Sequence, residues 1–124
     1  MSSFRCRWYL VSLPLVFLAA RALPAQTVVP DTLASRHVGE VITVEGTVHD
    51  VHISKRHGIT YLNFGGAYPD ITFAVHVPDS VGSRIPELPR LAGRRTRVTG
   101  QIWLQDDRWP AITVTDPAQV RPVE

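Results

Sequence analysis

The chain has 124 residues, of which 44% are hydrophobic and 19% charged, which is typical of one small globular domain. Three of its 13 basic residues, Arg5, Arg7 and Arg21, and its single cysteine, Cys6, precede residue 26, so the remainder carries ten bases against 11 acids and a net charge of −1. This balance excludes bulk attraction to a polyanion, and the lack of cysteine beyond residue 26 excludes a disulfide framework or thiolate metal site there.

The first 25 residues have the pattern of an export signal peptide. Arg5 and Arg7 form a basic region, an apolar run follows from Trp8 to Ala20, and Ala25 precedes the expected cleavage point. The apolar run of 13 residues is shorter than the ~20 that a bilayer-spanning helix needs. We therefore predict a signal peptide over residues 1–25, an exported protein that is periplasmic or extracellular, and no stable membrane insertion after cleavage.

The folded domain is predicted over residues 38–124. A leader at residues 26–37 precedes it, shows no hydrophobic period and is expected to pack loosely across one end. The first strand follows, and its alternation places four residues on the core face: Ile42, Val44, Gly46 and Val48. Because a glycine inside a strand usually marks a bulge or bend, Gly46 predicts a long and bent first strand.

Two further strands are predicted on either side of the glycine-rich break GGAYPD. The polar run SKRHG at residues 54–58 predicts a turn, and ITYLNF at residues 59–64 predicts the second strand. Residues 71–77 alternate cleanly and predict the third strand. The outward positions of these two strands include Tyr61, Asn63, Thr72 and His76.

The segment at residues 78–93 contains three prolines and two glycines, which exclude a long helix. One or two helical turns at residues 86–91 would place Leu88 and Leu91 against the sheet. A fourth strand follows, for which we predict these inward residues: Val98, Gly100, Ile102 and Leu104. The run DDRW then predicts a turn, and a fifth strand buries Ile112 and Val114.

This order of elements predicts an all-β fold, a five-stranded OB-fold Greek-key barrel with a short helical or irregular segment between strands 3 and 4. The chain also carries VxGxV in the first strand, YLNFGG..YPD..F across the second and third strands, GRRTRVTG in the fourth, and I.VTDPAQV near its end. With these motifs, residues 38–120 resemble the small exported bacterial OB-fold domains of the nucleic-acid-binding, tRNA-anticodon-binding-like group. The resemblance implies the fold and leaves the ligand open.

Three histidines, His49, His52 and His57, lie close together in the sequence, but their spacing is not typical of a metal site. On a strand, a spacing of three places His49 and His52 on opposite faces unless a bulge intervenes. No cysteine or acid stands at a recognised zinc spacing. Ser54 lies nearby, but the sequence around it forms neither a nucleophile elbow nor an oxyanion loop. We therefore predict no metal, no cofactor and no enzymatic activity.

OB-folds bind ligands on the outer face of strands 2 and 3, together with the first-to-second and fourth-to-fifth strand loops. In this sequence those places hold bases, aromatic rings and polar groups, which we predict to bind the ligand: Lys55, Arg56, His57, Tyr61, Asn63, His76, Arg108 and Trp109. Bases beside aromatic platforms suit the recognition of single strands. We therefore predict an exported, non-enzymatic binding module for single-stranded nucleic acid or a similar anionic polymer.

The alternative is a cell-envelope domain that binds a protein or glycan and has no nucleic-acid activity. It is favoured by the export signal and by the net charge of −1. In this alternative Tyr61 is a cross-strand packing partner, Trp109 plugs one end of the barrel, and Lys55 and Arg56 form an ordinary hairpin tip. Four acids near the expected face would repel phosphates: Asp50, Asp70, Asp106 and Asp107.

Overall fold

The computed structural model of the protein describes residues 27–123, so the predicted signal peptide lies outside the described residues. Within them, the strands are β1 (Val28–Pro30), β2 (Val41–Ser54), β3 (Ile59–Phe64), β4 (Phe73–Pro78), β5 (Arg95–Gln101), β6 (Trp103–Gln105), β7 (Trp109–Thr113) and β8 (Val120–Pro122). One α-helical turn, α1 (Asp79–Gly82), and three 3-10 helices at Asp31–His37, Leu88–Arg90 and Pro117–Gln119 connect them. Between residues 27 and 123, no helix has the length and apolar character needed to cross a membrane.

The strands form one hydrogen-bonded sheet in the order β6, β7, β4, β3, β2, β5, β8, with β1 added in parallel to β2. The long strand β2 organises this sheet, since its N-terminal half pairs with β5 and its C-terminal half pairs with β3. Most pairs are antiparallel, but β4 and β7 run parallel. The architecture is all-β, as predicted, and the strand order is consistent with an OB-like fold.

Each of the five predicted strands is present. They correspond to β2, β3, β4, the pair β5 and β6, and β7; Ile102 divides the predicted fourth strand into two. Two strands of three residues each, β1 and β8, were not predicted, because three residues are too few to show an alternation. They extend the sheet beside β2 and β5.

The predicted leader is part of the folded domain over residues 27–37, which differs from the expected loose packing. Val29 is buried in β1, and Ala34 is fully buried in the 3-10 helix that follows. This helix can pack against the sheet because residue 46 has no side chain. A Cβ at residue 46 would lie 2.7 Å from Oδ1 of Asp31. The backbone of β1 is held by its pairing with β2. The short apolar run of β1 did not predict this pairing.

A single main core lies inside the sheet and includes these fully buried side chains: Val44, Val48, Leu62, Phe64, Phe73, Leu91, Val98, Ile102, Ile112 and Val114. The prediction that Leu88 and Leu91 pack against the sheet is confirmed. The prediction that Leu104 faces inward is wrong, because its side chain is 37% exposed. The strand is interrupted at Ile102, and Leu104 lies on β6, at the end of the sheet order.

Candidate ligand-binding face

A bulge in β2 determines which side chains reach the outer face of the sheet. Val48 pairs with Phe64 and Asp50 pairs with Asn63, so His49 is the extra residue between the two pairs. Val48 is buried, and Val51, three residues later, also packs against the core. Side chains therefore do not alternate strictly across His49. The prediction that His49 and His52 lie on opposite faces assumed that no bulge intervenes, and this assumption does not hold.

Four aromatic side chains cross the outer face and form what we call the aromatic row: His52, Tyr61, His76 and Trp103. His52 pairs with Tyr61, and Tyr61 pairs with His76, in register across β2, β3 and β4. The His52 and Tyr61 rings are stacked with centroids 6.0 Å apart, and the Tyr61–His76 and His76–Trp103 pairs meet edge-on at 4.8 and 5.1 Å. The row presents exposed rings at both ends, His52 and Trp103.

Beside the row, an open cleft of about 430 Å³ is lined by Asp50, His52, Tyr61, Asn63, Ala67, Tyr68, Ile71 and Gln105. Its volume lies within the roughly 300–1,000 Å³ of small-molecule sites. Asn63 donates a hydrogen bond from Nδ2 to Oδ2 of Asp50 at 3.3 Å. The other oxygen, Oδ1 of Asp50, is buried and has no hydrogen-bond partner among residues 27–123. Asp50 thus lines the cleft, and one of its two oxygens is buried and makes no hydrogen bond within residues 27–123.

His76 holds Gln105 in place at the edge of the cleft. Nε2 of His76 lies 2.9 Å from Oε1 of Gln105. Burial lowers the pKa of His76, although the hydrogen bond to Gln105 and the charge of Asp106 oppose this effect. The lowered pKa favours the neutral ring, which donates from Nε2 to the Gln105 carbonyl oxygen and leaves the Nε2 group of Gln105 to donate elsewhere.

Trp109 supports one wall of the cleft and is itself buried. Its indole N–H donates to the backbone oxygen of Pro69 at 3.0 Å, and its ring centroid lies 5.1 Å from that of Tyr68. The guanidinium carbon of Arg108 lies 4.7 Å from the Trp109 ring centroid. Tyr68 and Arg108 therefore cover the Trp109 ring. The ring also packs with Ile71 in a small second cluster. Trp109 thus positions the loop that carries Tyr68 and offers no open surface for stacking.

Four of the predicted ligand-binding residues lie in two exposed turns: Lys55, Arg56 and His57 between β2 and β3, and Arg108 between β6 and β7. The first turn lies at the C-terminal end of β4, since Ile59 pairs with Pro78. The second lies near the other end, because β7 runs parallel to β4 with Ala111 beside Ala74. β4 has six residues, or ~20 Å at about 3.3 Å per residue, so the two groups bracket the aromatic row.

Two other bases of the sheet are already paired. Arg95 and Arg97 both contact Glu45 across β2 and β5, with nitrogen-to-oxygen distances of 2.5 Å. These hydrogen bonds, first that of Arg97 and then that of Arg95, lower the pKa of Glu45. Of the described bases, those in the two turns are therefore better placed to attract an anionic ligand than Arg95 and Arg97.

The structure brings Tyr61, Asn63 and His76 together on one face, but Asn63 and His76 are buried there and only Tyr61 is partly exposed. It adds four residues that the sequence analysis did not assign to a ligand site: Asp50, His52, Tyr68 and Gln105. An aromatic residue before a proline in GGAYPD was a usable signal for Tyr68. The other three depend on cross-strand register, for which the sequence carries no local signal. Residues 27–123 contain no group of three or more His, Cys, Asp or Glu side chains suited to a metal ion.

The fold has a counterpart among solved structures. The chain is similar to a crystal structure of a "putative aspartyl-tRNA synthetase from Leishmania major Friedlin", with a TM-score of 0.56 and 9% sequence identity. The similarity covers 84% of this chain and 22% of the synthetase chain, so this chain matches about a fifth of that protein. No protein-family model and no curated protein sequence matches the chain. At this identity the comparison shows a shared fold.

Proposed function

We propose that the domain is an exported, non-enzymatic OB-fold module that binds single-stranded nucleic acid, or a similar anionic polymer, along its outer face. The aromatic row is the observation that carries the proposal, because its rings lie on β2, β3, β4 and β6 and the row ends in exposed side chains. Stacking of a base on an aromatic ring contributes ~1–3 kcal/mol and tolerates any sequence. The bases in the two turns, which lie on either side of the row, would attract the backbone.

The fold supports this proposal. β5 pairs with β2, β6 pairs with β7, and Ile102 alone separates β5 from β6. These pairings are the ones expected if β5 and β6 act as one bent strand that closes a five-stranded barrel. The structural neighbour is named as a tRNA synthetase, which makes a nucleic acid a reasonable ligand class to test. Export is supported by the basic and apolar pattern of residues 1–25.

Fluorescence anisotropy with a labelled single strand of about 12 nucleotides at low salt tests the proposal, since OB-folds occupy roughly 4–16 nucleotides. We expect Tyr61→Ala to weaken binding by about fivefold or more, the lower end of one lost stacking contact. Tyr61→Phe keeps the ring and serves as the matched control, with thermal unfolding of both variants to verify folding. No binding at tens of micromolar, or equal binding by wild type and Tyr61→Ala, would overturn the proposal and favour the envelope protein or glycan ligand.

A further inference from the structure

We propose that the cleft beside the aromatic row selects a nucleobase that carries an exocyclic amine, with Oδ1 of Asp50 as the acceptor. This inference rests on the proposed function and adds to it a preference among bases. Asp50 is an acid in the lining of the cleft, whereas the exposed bases lie in the two turns.

The carboxylate of Asp50 is half-paired. Oδ2 accepts from Nδ2 of Asn63, whereas Oδ1 is buried and has no partner within residues 27–123. A buried charged oxygen without a donor is unfavourable, and the Asp50 side chain lines the cleft, so a ligand N–H that reaches this carboxylate would satisfy it. A phosphate would instead be repelled by the same carboxylate, which places the backbone of a bound strand outside the cleft.

Gln105 supplies a complementary donor at the other side of the cleft. Its Oε1 accepts from His76, which leaves its Nε2 group as a donor for a bound group. The rings of Tyr61, His52 and Tyr68 line the cleft between these polar groups. One acceptor, one donor and aromatic walls match a planar heterocycle that has a donor and an acceptor on its edge.

The bases differ in what they would present to Asp50. Cytosine, adenine and guanine each carry an amine, and acids accept hydrogen bonds from such groups, as from N4 of cytosine. Thymine and uracil have no amine; their single ring N–H lies between two carbonyl oxygens, which would approach the carboxylate and repel it. The cleft is therefore expected to disfavour thymine and uracil relative to cytosine and adenine.

The test compares the affinities of the full exported domain for dC, dA and dT homopolymers of equal length, by anisotropy at one salt concentration. We expect wild type to bind dC and dA about fivefold or more tightly than dT, the lower end for a well-paired base contact. Asp50→Asn keeps the shape of the side chain but replaces one acceptor with a donor, so the ratio should fall toward one. Asp70→Asn, which removes an exposed acid outside the cleft lining, is the matched control and should keep the wild-type ratio.

Three results would count against the inference, and they separate it from the proposed function. Equal binding of the three homopolymers by wild type, or an unchanged ratio in Asp50→Asn, overturns the base preference and leaves nucleic-acid binding intact. Absence of binding to every homopolymer overturns both. The wild-type ratio needs no variant, so the inference stays testable even where thermal unfolding shows that Asp50→Asn is not folded.

Discussion

At the scale of single residues, Gly46 connects the N-terminal segment to the sheet. A Cβ at this position would lie 2.7 Å from Oδ1 of Asp31 and 3.0 Å from Cδ2 of Phe64. Asp31 also accepts a hydrogen bond from the hydroxyl of Thr72, so its side chain is held by the residue just before β4. The absence of a side chain at residue 46 therefore allows the 3-10 helix to pack on the sheet.

We expect Gly46→Ala to lower the free energy of unfolding by about 1–3 kcal/mol, the usual cost of inserting a group into a packed site. Urea unfolding followed by circular dichroism measures this difference. In an Asp31→Ala background the closest contact is gone, so the same substitution should cost less. Equal costs in the two backgrounds would show that the approach of Asp31 does not explain the glycine.

His76 gives the domain a pH dependence whose sign follows from its environment. Because burial lowers its pKa in the folded state, the unfolded chain binds more protons once the pH falls below the ordinary histidine value of 6.5. Stability from the neutral ring is therefore fully present above about pH 6.5 and is lost as the pH falls toward the lowered pKa. The loss ends once the folded protein also binds the proton.

We expect the free energy of unfolding to decrease between about pH 7.5 and pH 5.5, on either side of the ordinary histidine pKa, and to decrease less in His76→Gln. Urea titrations of both proteins across this range provide the measurement. Parallel pH profiles for wild type and variant would contradict the assignment of this dependence to His76.

At the scale of elements, the bulge in β2 and the short segment between β4 and β5 determine the two sides of the sheet. The bulge at His49 directs Asp50 and His52 toward Asn63 and Tyr61 on the outer face. On the inner side, Leu91 closes the core although the segment around it has only single turns of helix. Packing, rather than helix propensity, therefore holds this segment in place.

Leu91 and Leu104 form a matched pair for testing this assignment. Leu91 is fully buried and Leu104 is 37% exposed, although both were predicted to face inward. We expect Leu91→Ala to lower the free energy of unfolding by about 2–5 kcal/mol through the cavity that it leaves. Leu104→Ala should cost less than about 1 kcal/mol, since most surface substitutions have small effects. Chemical denaturation of both variants measures the contrast, and similar costs would contradict the packing described for this segment.

At the scale of the whole molecule, the net charge and the placement of the bases differ in what they imply. The chain beyond residue 25 has a net charge of −1, yet bases lie at both ends of one face. Lys55 and Arg56 lie in one exposed turn and Arg108 lies in the other. Release of counterions from a bound strand depends on how many phosphates are neutralised and does not depend on the total charge of the protein. Salt dependence therefore measures the contribution of these two turns.

With three phosphates neutralised, the slope of log K against log salt should be about −2 for a single strand. Replacing Lys55, Arg56 and Arg108 together by Ala should bring the slope toward zero. The control removes the same charge from exposed bases elsewhere, in the triple variant Arg84→Ala, Arg90→Ala and Arg121→Ala, and should keep the wild-type slope. Anisotropy at several salt concentrations distinguishes them; an equal loss of slope in both triple variants would assign the effect to overall charge.

Local sequence patterns were sufficient to predict the strands and turns that depend on neighbouring residues. Alternation with a period of two located β3 and β4, SKRHG located the first hairpin turn, and the outward positions of β3 and β4 identified Tyr61 and His76 as residues of the candidate face. Three features became visible only in the folded chain: the packing of residues 27–37 on the sheet, the burial of Trp109 and the presence of Asp50 beside Asn63. The physical reason is that a bulge, a parallel pairing and a cross-strand neighbour each depend on residues far apart in the chain, so local periodicity does not report them.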